Sequence, residues 1–289
     1  MALTTTPGGI WVLQALLGVE TMPVALRLKP FVPSVHESMI VETADGRRLI
    51  RETAEYASLV SAGVIDADGN VDDAARDWFT VLSRPERTVV LVIRQPAANT
   101  AAQHGEKPLV SERALVVCQH RRWLAMSARC GDEVVVGPVG ETDRAEERTS
   151  LICRTLLPAF GEADPVAMDG VNVQADLLLS ALNNSREHGR DAMRAAVSRL
   201  GLLPDQVDVV VAAARLDESA MAVVAVVDHG VKVYVHPRVL TVADTEYGRV
   251  SITYTNGADG RQWMSIWPTS APALTEDLTE LLSVGRVAA

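Results

Sequence analysis

Six histidines and three cysteines are the side chains of this 289-residue chain best suited to carry protons, attack as nucleophiles or bind metals. His36, His104, His120, His188, His229 and His236 fall mostly in predicted turns or at element ends. Beyond the isolated Glu187-His188 step, none has a His or carboxylate at the spacing that puts two ligands on one helix face. Solvated turn histidines are therefore expected. Cys118, Cys130 and Cys153 are odd in number, lack C-x-x-C spacing and sit among apolar residues, which predicts buried free thiols. In "DADGN", Asp66, Asp68 and Asn70 imitate the opening of a calcium loop, but Gly69 is misplaced and no closing bidentate Glu follows. A solvated turn leading into the next helix is expected there. No G-x-S-x-G, H-E-x-x-H, Walker-type or G-x-G-x-x-G pattern occurs. The motifs point away from an enzyme and imply no cofactor and no metal. The alternative is a small-molecule enzyme of unfamiliar α+β type, whose carboxylate and histidine converge only in three dimensions.

Composition narrows the partners. With 48% hydrophobic and 22% charged residues the chain is globular, and its length allows one large domain or two. A net charge of −10 with 27 scattered Lys and Arg excludes a nucleic acid as main partner, because phosphate binding needs clustered cations. The first Arg is Arg27, so no basic segment precedes the apolar run 10–19; that run contains Gln14 and is too short to span a bilayer. A cytosolic protein without membrane insertion is expected.

The elements follow from apolar spacing and turn residues. Capping residues at 4–7 introduce a helix over 9–17, and Val24, Leu26 and Leu28 alternate as in a strand. Helical patterns cover 47–62, ended by Gly63, and 71–82, capped near Asn70 and stopped by Pro85. Strands are expected at 88–93, 113–120, 123–129 and 133–136. The first two are joined by about eighteen mostly polar residues, longer than an ordinary hairpin loop. Helices at 142–157, 174–183 and 188–200 come next. The segment 247–272 reads as a β-hairpin whose return strand is apolar on both sides, with Met264 and Ile266 on one and Trp263 and Trp267 on the other. Met264 and Ile266 are expected against helices. The tryptophans belong either to a second core layer or to an exposed docking face.

The pattern then repeats. Residues 71–93 resemble 207–227, and "WLAMSARCGDEVVV" resembles "VLTVADTEYGRVSI", which predicts two similar α+β halves, about 1–157 and 158–289. Successive hairpins rather than βαβ units make their common sheet antiparallel.

Several segments together resemble the EspG family, chaperones of mycobacterial type VII secretion. They are "GGIWVLQALLGVETMPVALRLKPFVPS", "GVIDADGNVDDAARDWFTVLSRPER", "RRWLAMSARCGDEVVV", "ADPVAMDGVNVQADLL" and "YGRVSITYTNGADGRQWMSIWPTSAP". The likeness spans nearly the whole chain and lies in their order and spacing. It implies a single pseudo-two-fold α+β domain with a central antiparallel sheet and two helical bundles. It also implies a non-enzymatic cytosolic chaperone that binds the PPE subunit of cognate PE–PPE heterodimers and directs them to an ESX system. By that resemblance the long loop carrying Gln95, Asn99, Gln103 and Lys107 contacts the partner, as do Lys232 and the sheet and last helix through Trp263, Trp267, Leu274 and Leu278. The W-x-G and Y-x-x-x-[DE] patterns of secreted type VII substrates are absent, which fits chaperone rather than cargo. A homodimerisation module, with the tryptophan face against a second copy, is the further alternative.

Overall fold

The computed structural model describes residues 2–29, 40–43, 46–96 and 110–285, with backbone only for 40–43 and 46–48. Asn99, Gln103, Lys107, His36 and His104 lie outside the described residues.

Thr6 separates strand β1 (Leu3–Thr5) from helix α1 (Pro7–Leu17). Its hydroxyl accepts from the Gly9 N–H at 3.2 Å, and Pro7 opens the helix where a missing N–H costs nothing. The alternation at Val24 and Leu26 forms a 3₁₀ turn (Val24–Leu26) rather than the expected strand. Pro23 precedes it, Arg27 ends it in the left-handed region at φ 50°, and only Leu26 is buried while Val24 is 90% exposed. The expected helix over 47–62 is shorter. Strand β3 (Gly46–Leu49), paired with β2 (Ile40–Thr43), takes its first residues, and α2 (Ala54–Ser61) begins only where the Thr53 hydroxyl accepts from the Tyr56 N–H. The cap of α3 (Asp73–Ser83) is Asp72, which takes the Ala74 and Ala75 N–H groups, two residues past the expected Asn70. Asp66 instead gathers the backbone N–H groups of Asp68 and Asn70, so "DADGN" is a hydrogen-bonded exposed turn.

The strands β4 (Arg87–Pro96), β5 (Val110–His120), β6 (Trp123–Cys130) and β7 (Glu133–Glu141) lead to α4 (Ala145–Leu156). After it come β8 (Val171–Gln174), α5 (Ala175–Ser185), α6 (Arg190–Ser198) and α7 (Pro204–Ala213). Then follow β9 (Ala220–His229), β10 (Val233–Val235), β11 (Leu240–Thr245), β12 (Gly248–Asn256), β13 (Gln262–Pro268) and α8 (Ala271–Leu282). β8 lies in a connection that the sequence pattern leaves irregular.

One sheet has the order β1-β7-β6-β5-β4-β9-β11-β12-β13-β8, with β10 beside β9, and each of its strand pairs is antiparallel. The expected α+β class with a central antiparallel sheet holds. Side-chain alternation divides the core by face. Helices α1, α2 and α3 cover β5, β6 and β7 on one face through Ile10, Leu13, Phe79, Val116 and Val134. On that same face α5, α6 and α7 cover β8, β12 and β13 through Leu178, Val197, Val211, Met264 and Ile266. The opposite face is closed across its middle by α4 and α8, which pack Leu156, Leu278 and Leu281 on Leu91, Val224 and Leu240.

Candidate functional site

The central strands carry valines on both faces. On β4, Val89, Leu91 and Ile93 enter the core under α4 and α8, which leaves Val90 and Val92 on the other side. The register Thr88↔Val227, Val90↔Ala225 and Val92↔Val223 places Val223, Ala225 and Val227 of β9 with them. These residues lie between the two helical bundles and are only half-buried. β10 extends this valine floor: Val235 pairs beside Val227 and Val233 beside His229, and they are 58% and 67% exposed. Val231, at the hairpin tip next to exposed Lys232, is 91% exposed. An apolar strip of this kind, continuous from sheet to hairpin, has the chemistry of a docking surface.

Under the hairpin, on the α8 face, lies a buried polar network. Asp228 faces Arg87 across the strands, and its carboxylate accepts from Arg87 Nε at 2.6 Å and Nη2 at 3.0 Å. His236 Nε2 donates to the same carboxylate at 2.8 Å, and Arg87 Nη1 donates to the Val284 carbonyl at 2.9 Å, just past α8. His236 is thus buried, not the expected solvated turn histidine; residue pairing across the short hairpin carries it inward. His229 is half-buried and hydrogen-bonds Thr88 Oγ1 at 2.9 Å. Burial pushes its imidazole below the ordinary range, against the smaller opposing pull of the Asp228 carboxylate. Cys118 and Cys153 are buried as expected, and burial raises the Cys118 thiol to about 12. Cys130 differs: it is exposed, because it ends β6 at a turn made by Gly131 in the left-handed region (φ 58°). Among the described residues no group of His, Cys, Asp and Glu could hold a metal, and no helix is long and apolar enough to cross a membrane.

The sequence-predicted contact residues do not converge. Lys232 stands at the hairpin end of the floor. Gln95 is at the other end of β4, roughly 25 Å away by strand rise, where its Oε1 accepts from Arg113 Nη2 at 3.3 Å. Met264 and Ile266 face the α5–α7 bundle as expected. Trp263 and Trp267 take the opposite face of the sheet from the valine floor. Trp267 is 50% exposed, and its ring lies so close to Gly170 that a Cβ there would overlap it; Trp263 packs against Gly257 of its own hairpin turn. Leu274 and Leu278 of α8 are 1% and 0% exposed, and in the free chain their side chains pack in the core against the sheet. Sequence reasoning missed the floor because the runs 89–93 and 222–227, apolar at every position, signal strands covered on both sides. It missed the Asp228–His236 contact because their eight-residue separation is a hairpin spacing, not a helical one.

Two helical bundles on one antiparallel sheet, with an apolar floor between them, leave a surface with the chemistry of a docking site. A sequence model of the EspG family matches residues 6–280, and the chain belongs to that family. It is 29% identical over 256 residues to the ESX-2 secretion-associated protein EspG2 of Mycobacterium tuberculosis, covering 86% of this chain and 83% of the relative. To the ESX-5 secretion-associated protein EspG5 of Mycobacterium marinum it is 23% identical over 279 residues, 93% of this chain and 88% of the relative. Its fold is similar to that of the Mycobacterium tuberculosis type VII secretion system chaperone EspG5, solved in complex with a PE25-PPE41 dimer. The TM-score is 0.70 at 20% identity, covering 98% of this chain and 95% of that one.

Proposed function

We propose that this chain is a cytoplasmic, non-enzymatic chaperone that binds the PPE subunit of cognate PE–PPE heterodimers, keeps them soluble and directs them to a type VII secretion system. The observation that carries this reading is the half-buried valine floor between two helical bundles, in a chain of the EspG family. The floor offers a rigid apolar base, and the exposed hairpin with Val231, Lys232 and Val233 offers contacts that discriminate between partners. An interface of ordinary size, about 1,600 Å² in total, would shield an apolar helical tip and still release it. Co-expression with the PE–PPE pairs of the native host, followed by co-purification, tests this. Retention of at least one pair is expected; failure with all of them rejects the reading.

The same proposal includes a pseudo-two-fold relation between the halves. Its support is the element order: a short edge strand, three helices, a run of sheet strands and a closing helix occur twice, with the β2–β3 pair added in the first half and β10 in the second, and β4 and β9 meet at the middle of the sheet. The match of 71–93 with 207–227 agrees with that order. The match of 123–136 with 239–252 sets β6–β7 against β11–β12, one strand out of step with it.

A further inference from the structure

Three strands meet at one carboxylate. Asp228 of β9 lies directly between Arg87 of β4 and Tyr234 of β10, and all three side chains take the α8 face. Arg87 closes a bidentate fork on Asp228 and gives its remaining nitrogen to the Val284 carbonyl. His236 donates its ring N–H to Asp228 and its backbone N–H to the Val226 carbonyl, and the Tyr234 ring meets its imidazole edge to face at 5.0 Å. β10 has only three paired residues, and a strand that short is weakly held by its ladder alone. Val233 and Val235 add little packing, since they project toward solvent. What fixes the hairpin is therefore the α8 side of the strand, where buried His236 and the more exposed Tyr234 close over Asp228.

We infer that Arg87, Asp228 and His236 are positioning residues that hold the exposed hairpin in line with the valine floor and tie it to the end of α8. The docking element and the C-terminal end of the last helix then share one buried ion pair, and loosening either loosens the other. The role in partner binding rests on the function proposed above; the mechanical coupling does not.

Amide hydrogen exchange on the free protein tests the coupling. His236→Ala is expected to speed exchange at 231–235 and at 283–285 by roughly tenfold, the equivalent of one lost charge-assisted hydrogen bond. His236→Gln, whose side-chain amide also donates, is expected to restore slow exchange at both segments. With a PE–PPE dimer that co-purifies with the wild-type chain, affinity should fall roughly tenfold in His236→Ala and recover in His236→Gln. Unchanged exchange at 231–235 in His236→Ala, or equal loss in both variants, overturns the inference. If no PE–PPE dimer co-purifies with the wild-type chain, the functional reading fails, while the exchange measurements still decide the coupling.

Discussion

Two buried arginines solve the same problem at different places in the sheet. Arg87 of β4 forks onto Asp228 of β9 and caps the Val284 carbonyl behind α8. Arg249 of β12 forks onto Asp244 of β11, at 2.6 and 2.8 Å, and caps the Phe160 and Gly161 carbonyls behind α4, at 2.7 and 3.2 Å. Arg87 thus ties β4 to the end of α8, and Arg249 ties β12 to the turn that follows α4. The surroundings differ. The Asp244 side chain is 34% exposed and has no histidine partner in the fork, whereas Asp228 is 5% exposed and also holds His236. One clamp is a strut; the other also carries the exposed hairpin. A guanidinium whose donors are all paired tolerates burial, and the second use of its carboxylate decides whether the clamp does anything besides hold.

Breaking the strut should have the largest effect. Arg249→Ala leaves the Asp244 carboxylate and two helix-end carbonyls without their donor, and a loss of about 3–5 kcal/mol in urea-unfolding free energy is expected. Asp244→Asn should cost less, about 1–2 kcal/mol, because its carboxylate is partly solvated and screened. Equal losses in the two variants would remove the distinction drawn from exposure.

The floor comes next. Val223→Asp puts a charge between the bundles and should weaken retention of a co-purifying PE–PPE dimer by roughly a hundredfold, the scale of a buried unpaired charge at an interface. Trp267→Ala, on the opposite face, should change that retention less than about twofold. It should instead lower the unfolding free energy by about 1–2 kcal/mol through lost packing on Gly170. Reversed results would move the docking surface to the tryptophan face.

Acid should separate the clamps more gently. The His229 imidazole is held below its ordinary range by burial, so the unfolded chain takes up the proton first. Stability from this group is complete above about pH 6.5 and is lost as pH falls through that value toward the lower folded one. Exchange at 228–235, corrected for intrinsic rates, should therefore accelerate between pH 7.5 and 5.5 more than at 244–249. His229→Gln should abolish the difference.

Smallest is the hairpin surface. Val233→Ser should leave the unfolding midpoint unchanged and weaken partner affinity roughly fivefold, about 1 kcal/mol. A matching drop in stability would mean that the valine serves the fold instead.

Local chemistry made much of this legible in sequence. Thr6-Pro7, Gly63 and Pro85 punctuate helices, and alternation at 250–255 and 262–267 gives the last hairpin with Met264 and Ile266 inward. Where alternation misled, backbone punctuation had prevailed. Val24 and Leu26 alternate, but one buried leucine between Pro23 and a left-handed Arg27 makes a turn. On α8, Leu274 and Leu278 pack in the core over the sheet, a placement that their spacing alone does not reveal.

The sequence by itself determined the α+β class, the antiparallel pairing of consecutive strands, the absence of a known catalytic motif and the resemblance to one family, because these depend on nearest neighbours, spacing and composition. Tertiary structure alone decided that Val90, Val92, Val223 and Val227 stay only half-buried, since coverage depends on how far apart two bundles sit on one sheet. It alone brought Arg87, Asp228 and His236 to one point. That contact is built from strand register across 141 residues and a hairpin of eight, and no local preference encodes either distance.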